Sequence, residues 1–94
     1  MKLKIYSIYD TVACVFNKPF TDINDASAIR TFKTACQEQE HANDFELHSL
    51  ATYSDYDGII TPEKSPIRLI TGHEVKAILA KENPVTKLKA AGAM

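Results

Sequence analysis

Ninety-four residues, 45% of them hydrophobic and 24% charged, suffice for one domain with one core and are too apolar for a disordered chain. Eleven basic residues against twelve acidic ones give a net charge of −1, which excludes binding of nucleic acid by bulk charge and confines any such contact to a local patch. A domain of this size keeps roughly a third of its unfolded surface exposed, which disfavours a deep active site within one copy and leaves room for an oligomer.

From Lys2 to Ile8 the chain alternates. The alternation predicts a strand with Leu3, Ile5 and Ser7 on its core face and Lys2, Lys4 and Tyr6 on its wet face. Thr11 to Phe16 is β-branched and apolar and reads as a second strand, joined to the first through Asp10. Asn17-Lys18-Pro19 ends it, because proline donates nothing to a ladder. Asn24 is a natural helix N-cap, and Asp25 in the first turn suits the helix dipole. Ala28, Ile29, Phe32, Ala35 and Cys36 follow at helical spacing as one apolar stripe, fading at Gln37 to Glu40. His41 to Asp44 reads as a polar loop.

Phe45 to Tyr53 is the next strand, and Ser54-Asp55-Tyr56-Asp57-Gly58 is the strongest turn signal of the chain, since Asp-Gly supplies the positive φ of a tight hairpin. Ile59 to Thr61 returns from that turn. Pro62 to Pro66 is expected to break the strand, and Ile67 to Ile70 to form a short further one. Thr71 and Glu74 match a capping box ahead of a helix whose apolar side is Val75, Ile78 and Leu79. Asn83-Pro84 stops that helix. The expected architecture is α+β, a mostly antiparallel sheet of four to five strands with two helices on one face, in the order ββαβββα. Residues 1–83 form one domain, and 84–94 read as a flexible tail. The predicted core pairs Ile29 and Phe32 with Leu3 and Ile5.

The inventory of reactive residues is thin. Cys36, His41 and His48 match no common zinc spacing, and His73 belongs to a helix cap, so no metal is expected. An EF-hand read through Gly58 puts Tyr53 and Lys64 where carboxylates are needed, so the segment is a turn. The three glycines, at 58, 72 and 92, form no phosphate loop, and no nucleophile has a signature around it. The expectation is a protein that is not an enzyme and needs no cofactor. No leader-type pattern and no run of about 18 apolar residues is present, which predicts no membrane association and a reducing cytoplasm. Cys14 and Cys36 are then free thiols acting as small buried hydrophobes.

Nucleic acid is the one ligand class for which residues can be nominated. Lys2, Lys4 and Tyr6 share a strand face, where an aromatic between two amines can stack a base while the amines meet phosphate. Arg68, Lys87 and Lys89 are the candidates to extend that patch. The competing reading is that the lysines only keep a sheet face wet and discourage edge pairing.

The Lys-Ile-Tyr-Ser-Ile-Tyr-Asp run from Lys4 to Asp10, the pair Pro19-Phe20, Asp25, the Ala-Ile-Arg-Thr-Phe run from Ala28 to Phe32, the Phe45-x-Leu47 strand and the acidic turn ending in Gly58-Ile59-Ile60 occur in an order that resembles the nonstructural protein of gokushoviruses, small phages with single-stranded DNA. The likeness covers roughly residues 1 to 70, and its motifs are structural rather than catalytic. It implies a non-virion protein of the host bacterial cytoplasm that biases viral DNA synthesis from duplex intermediates toward packaged single strands. Its implied partners are single-stranded DNA, the viral replication initiation protein, or both. The alternative is a protein that binds a host factor without touching DNA.

Overall fold

A computed structural model describes residues 1–82. Five strands and two helices make an α+β fold: β1 (Lys2–Asp10), β2 (Val15–Phe16), β3 (Phe20–Asp22), α1 (Asp25–Gln37), a 3-10 turn (Ala42–Asp44), β4 (Phe45–Ser54), β5 (Ile60–Thr71) and α2 (Gly72–Glu82). All pairings are antiparallel, in the order β2-β1-β4-β5, and β3 pairs with the N-terminal half of β1 on the same side as β2. The expected tail, with Lys87 and Lys89 in it, lies outside the described residues.

The helices begin where local chemistry starts them. Asn24 Oδ1 accepts the Ser27 amide at 2.8 Å, filling one of the orphan donors of α1. Thr71 Oγ1 accepts the Glu74 amide at 3.1 Å and donates to the Glu74 carboxylate, so the predicted cap of α2 forms. Gly72 is required there by close approach, because a Cβ at that position would overlap the Ala42 carbonyl of the 3-10 turn. The β4–β5 turn closes through the Gly58 amide on the Ser54 carbonyl at 2.8 Å, with Gly58 at φ +75°.

Both helices lie on one face of the sheet. Ala28, Phe32 and Cys36 of α1 and Val75 of α2 are buried with Tyr6, Leu47 and Ile70 of the sheet, and Ala42 closes the cluster. Phe32 is therefore central, as expected, but its sheet partners are not Leu3 and Ile5, which stay partly exposed outside this core.

The cause is the facing of β1, which is the reverse of the expected one. Lys4 Nζ and the Tyr6 hydroxyl both donate to Asp25 Oδ1 at the start of α1, each at 2.7 Å. Lys4 and Tyr6 thus point toward the helices, and alternation sends Leu3 and Ile5 to the other side. A lysine and a tyrosine on the helix side are tolerable because Asp25 satisfies both polar ends while the Tyr6 ring is buried against Phe20 at 5.7 Å between centroids.

Three further expectations change. The chain from Thr11 to Cys14 is a loop and not a strand, because Asp10 Oδ1 accepts the amides of Val12 and Ala13 and offers the backbone an alternative to the ladder. Cys14 is consequently exposed and left-handed, at φ 59°, and not a buried strand residue. Pro62 and Pro66 do not break the return strand: β5 runs from Ile60 to Thr71 as a sheet edge, where missing amides face outward, and it absorbs Glu63 to Pro66 as an irregularity in the pairing with β4. The short β3 has no counterpart among the expected strands.

Candidate functional site

Cross-strand partners share a face, so the register sorts the sheet into two surfaces. On the helix side, Lys4 stands opposite Thr52, Thr52 opposite Thr61, and Lys2 opposite Ser54. These residues lie toward the β4–β5 turn, past the buried cluster. There Lys2, Thr52, Ser54, Asp57, Ile59 and Thr61 line a shallow groove of about 270 Å³. Three hydroxyls and an ammonium make it a polar trough on a β-ribbon. Tyr56, 92% exposed, stands in the turn at its end.

The acidic residues of this turn are engaged locally. Asp55 accepts the Met1 ammonium at 2.8 Å, and Asp57 Oδ1 accepts the Ile59 amide at 3.0 Å. The Asp57 carboxyl is held below the usual range by that amide first, then by the Ser54 side chain, with Lys2 adding a smaller favourable field. Lys2 is exposed and free to meet a ligand from the groove.

The four nominated residues that are described, Lys2, Lys4, Tyr6 and Arg68, therefore do not form one patch. Lys2 and Lys4 do share a face, but Lys4 is tied to Asp25, with its ammonium 5.8 Å from the Tyr6 ring centroid. Tyr6 has no exposed area and is no platform for a base; this corrects its assignment to an open face. Burial, and then the hydrogen bond to Asp25, push its phenol far above the ordinary tyrosine range, so it stays a neutral donor. Arg68 stands on the opposite surface of the sheet, its guanidinium 3.6 Å from Glu46. Lys87 and Lys89 lie outside the described residues.

The face away from the helices is of a different character. Tyr9 lies opposite both Phe16 and Glu46, and His48 lies opposite Ser7 and Arg68. The rings of Tyr9 and Phe16 are 4.6 Å apart and that of His48 sits edge-on to both, at 5.8 and 5.3 Å. His48 Nε2 is 3.1 Å from Glu46. Farther along, Leu3 lies opposite Tyr53, and Tyr53 opposite Ile60. Sequence reasoning missed this surface because it put the alternation of β1 on the wrong side; the signal available was Ile8, which is apolar, in phase with Lys4 and Tyr6, and packs against the core.

Comparison with known proteins yields one family. Residues 3–75 match the model of the family described as Phage ORF5 protein. No curated protein and no solved structure matches the chain.

Proposed function

Because the chain belongs to the Phage ORF5 protein family, we propose that it is a non-enzymatic viral protein that regulates phage DNA replication or packaging in the host cytoplasm by contacting single-stranded DNA. The reading is narrower than the family and rests on one observation: Lys2 shares the turn-side groove with the hydroxyls of Thr52, Ser54 and Thr61, and the exposed Tyr56 directly precedes Asp57, which also lines it. An ammonium and hydroxyls suit phosphate oxygens, and an aromatic with both faces in solvent suits a base. A single strand fits such a site better than a duplex, since stacking on Tyr56 needs an unstacked base. The resemblance to gokushovirus nonstructural proteins gives the role its direction, a bias toward single-strand synthesis, with the viral initiation protein as the further partner.

The test is the affinity of the full chain for a fluorescent single-stranded oligonucleotide across a salt series. Lys2→Glu should weaken binding and flatten the salt slope by about 0.7 for each phosphate no longer neutralised. Tyr56→Ala should cost roughly tenfold in affinity with no change of slope. Lys4→Glu is a poor probe, because it sets two carboxylates together at the start of α1. Equal affinity of wild type and Lys2→Glu refutes this groove as the contact. Absence of binding at low salt refutes direct DNA contact and leaves the initiation protein or a host factor as the partner.

A further inference from the structure

We infer that the sheet face turned away from the helices is an interface between two copies of this chain. A sheet with one apolar face needs a second layer on that face. Here the helices supply one layer, and among the described residues no helix or second sheet lies on the other side. There Ser7 and Ala51 are buried between their larger neighbours, and Leu3, Ile5, Tyr9 and Tyr53 are half-buried. That side carries Leu3, Ile5, Tyr9, Phe16, Tyr53 and Ile60, with Phe16 43% and Ile60 57% exposed. Placing it against itself about a two-fold axis gives a four-layer helix–sheet–sheet–helix dimer.

The composition of the face favours a second copy over a charged partner. Its charged side chains near the aromatic cluster, Glu46 and Arg68, are paired within the chain, and His48 also faces Glu46. The surface therefore offers no net field to attract nucleic acid or a strongly charged protein. A neutral, aromatic face is self-complementary under two-fold symmetry, because the operation brings no like charges into forced contact. The two sheet edges, by contrast, are poor templates for self-association: β5 carries Pro62, Lys64 and Pro66 along its exposed stretch, and the opposite edge is made only of the two-residue β2 and the three-residue β3. Face-to-face packing is the association left open.

The size is adequate. Nine residues of β1 span about 30 Å at strand rise, and four strands abreast about 19 Å, so the face projects roughly 600 Å². With side-chain relief this approaches the ~800 Å² per partner of a standard stable interface. The groove of Lys2 lies on the other side of the sheet, so the dimer would present two such grooves and is independent of whether they bind DNA.

Sedimentation velocity of the full chain from 1 to 100 µM, with no oligonucleotide present, tests the inference. The wild type should sediment at twice the 10.5 kDa chain mass. Phe16→Glu with Ile60→Glu should shift it to a monomer across that range, with unchanged far-ultraviolet circular dichroism, because both positions are exposed in the single chain. Should the double variant lose its fold, Ile60→Glu alone should still raise the dissociation constant at least tenfold. A wild-type monomer at 100 µM assigns the face to another occupant and overturns the inference. An assembly whose mass is insensitive to both substitutions overturns it equally.

Discussion

Replacing Tyr6 with phenylalanine removes one oxygen and leaves the buried ring and its stacking on Phe20 in place, so it isolates the hydrogen bond to Asp25. A hydrogen bond to a charged acceptor contributes about 1.5–3 kcal/mol. The Asp25 side chain is 44% exposed and keeps both water and Lys4 as partners, so the loss should sit at the lower end, about 1.5 kcal/mol. In a domain of this length that corresponds to a fall in melting temperature of about 6–12 °C. Tyr6→Ala also empties the ring's place in the core and should cost about 3–5 kcal/mol, a large part of the ~5–14 kcal/mol expected for the whole chain. Urea denaturation followed by circular dichroism measures both, and a cycle with Asp25→Asn checks the assignment. The cost of Tyr6→Phe should shrink when Asp25 is already neutral. A Tyr6→Phe protein within 0.3 kcal/mol of wild type, by the ~0.3–0.5 kcal/mol scale of independent sites, would refute the bond. A stable Tyr6→Ala protein would refute the inward facing of β1 altogether.

Phe32→Ala should destabilise by about 3–5 kcal/mol, read from the same denaturation curves, because Phe32 has no exposed area at the meeting of α1 with the sheet. Cys14→Gly should raise stability by about 0.5 kcal/mol, since glycine carries no penalty at φ 59° and loses part of that gain in unfolded-state entropy. Gly72→Ala should cost about 3 kcal/mol, the upper end for overpacking, because the atom met is the Ala42 backbone carbonyl; an unchanged melting temperature would show that the 3-10 turn moves freely. Stability should also fall at both ends of the pH scale. Lys4 and then Tyr6 hold the Asp25 carboxyl below its unfolded value, so its contribution is present above about pH 4 and is lost as pH drops through the folded value. The Tyr6 phenol is raised, so its contribution is full below about pH 10 and declines as pH rises beyond. Denaturation midpoints from pH 2 to 11 show whether Tyr6→Phe abolishes the alkaline loss.

What the chain writes locally is legible. Asn24 and the Thr71–Glu74 pair start their helices because the bonds they make reach only three residues ahead. Asp57-Gly58 turns the chain for a similarly local reason, a glycine at positive φ. The failures lie where a distant residue decides. Lys2, Lys4 and Tyr6 look like a wet strand face until Asp25, some twenty residues away, binds two of the three polar ends and draws them under α1. Thr11 to Cys14 has strand composition, yet the Asp10 carboxylate captures its amides first. Pro62 and Pro66 break a central strand but not an edge, and only the assembled sheet shows that β5 is one.

The same long-range contact governs how the functional surface must be sought. Had Lys4 and Tyr6 faced outward, the sheet would carry its cations and its aromatics together, and one face would serve every partner. By taking both residues inward, Asp25 separates the properties. The ammonium of Lys2 and the hydroxyls are left with Tyr56 at the turn, and the apolar rings and branched side chains are left on the far face. A polar groove and an apolar sheet face recruit by different forces, the first screened by salt and the second strengthened by it. Oligonucleotide affinity should therefore fall with salt while self-association holds or grows. A protein in which both decline together would have one shared surface, and the separation made by Asp25 would have no functional meaning.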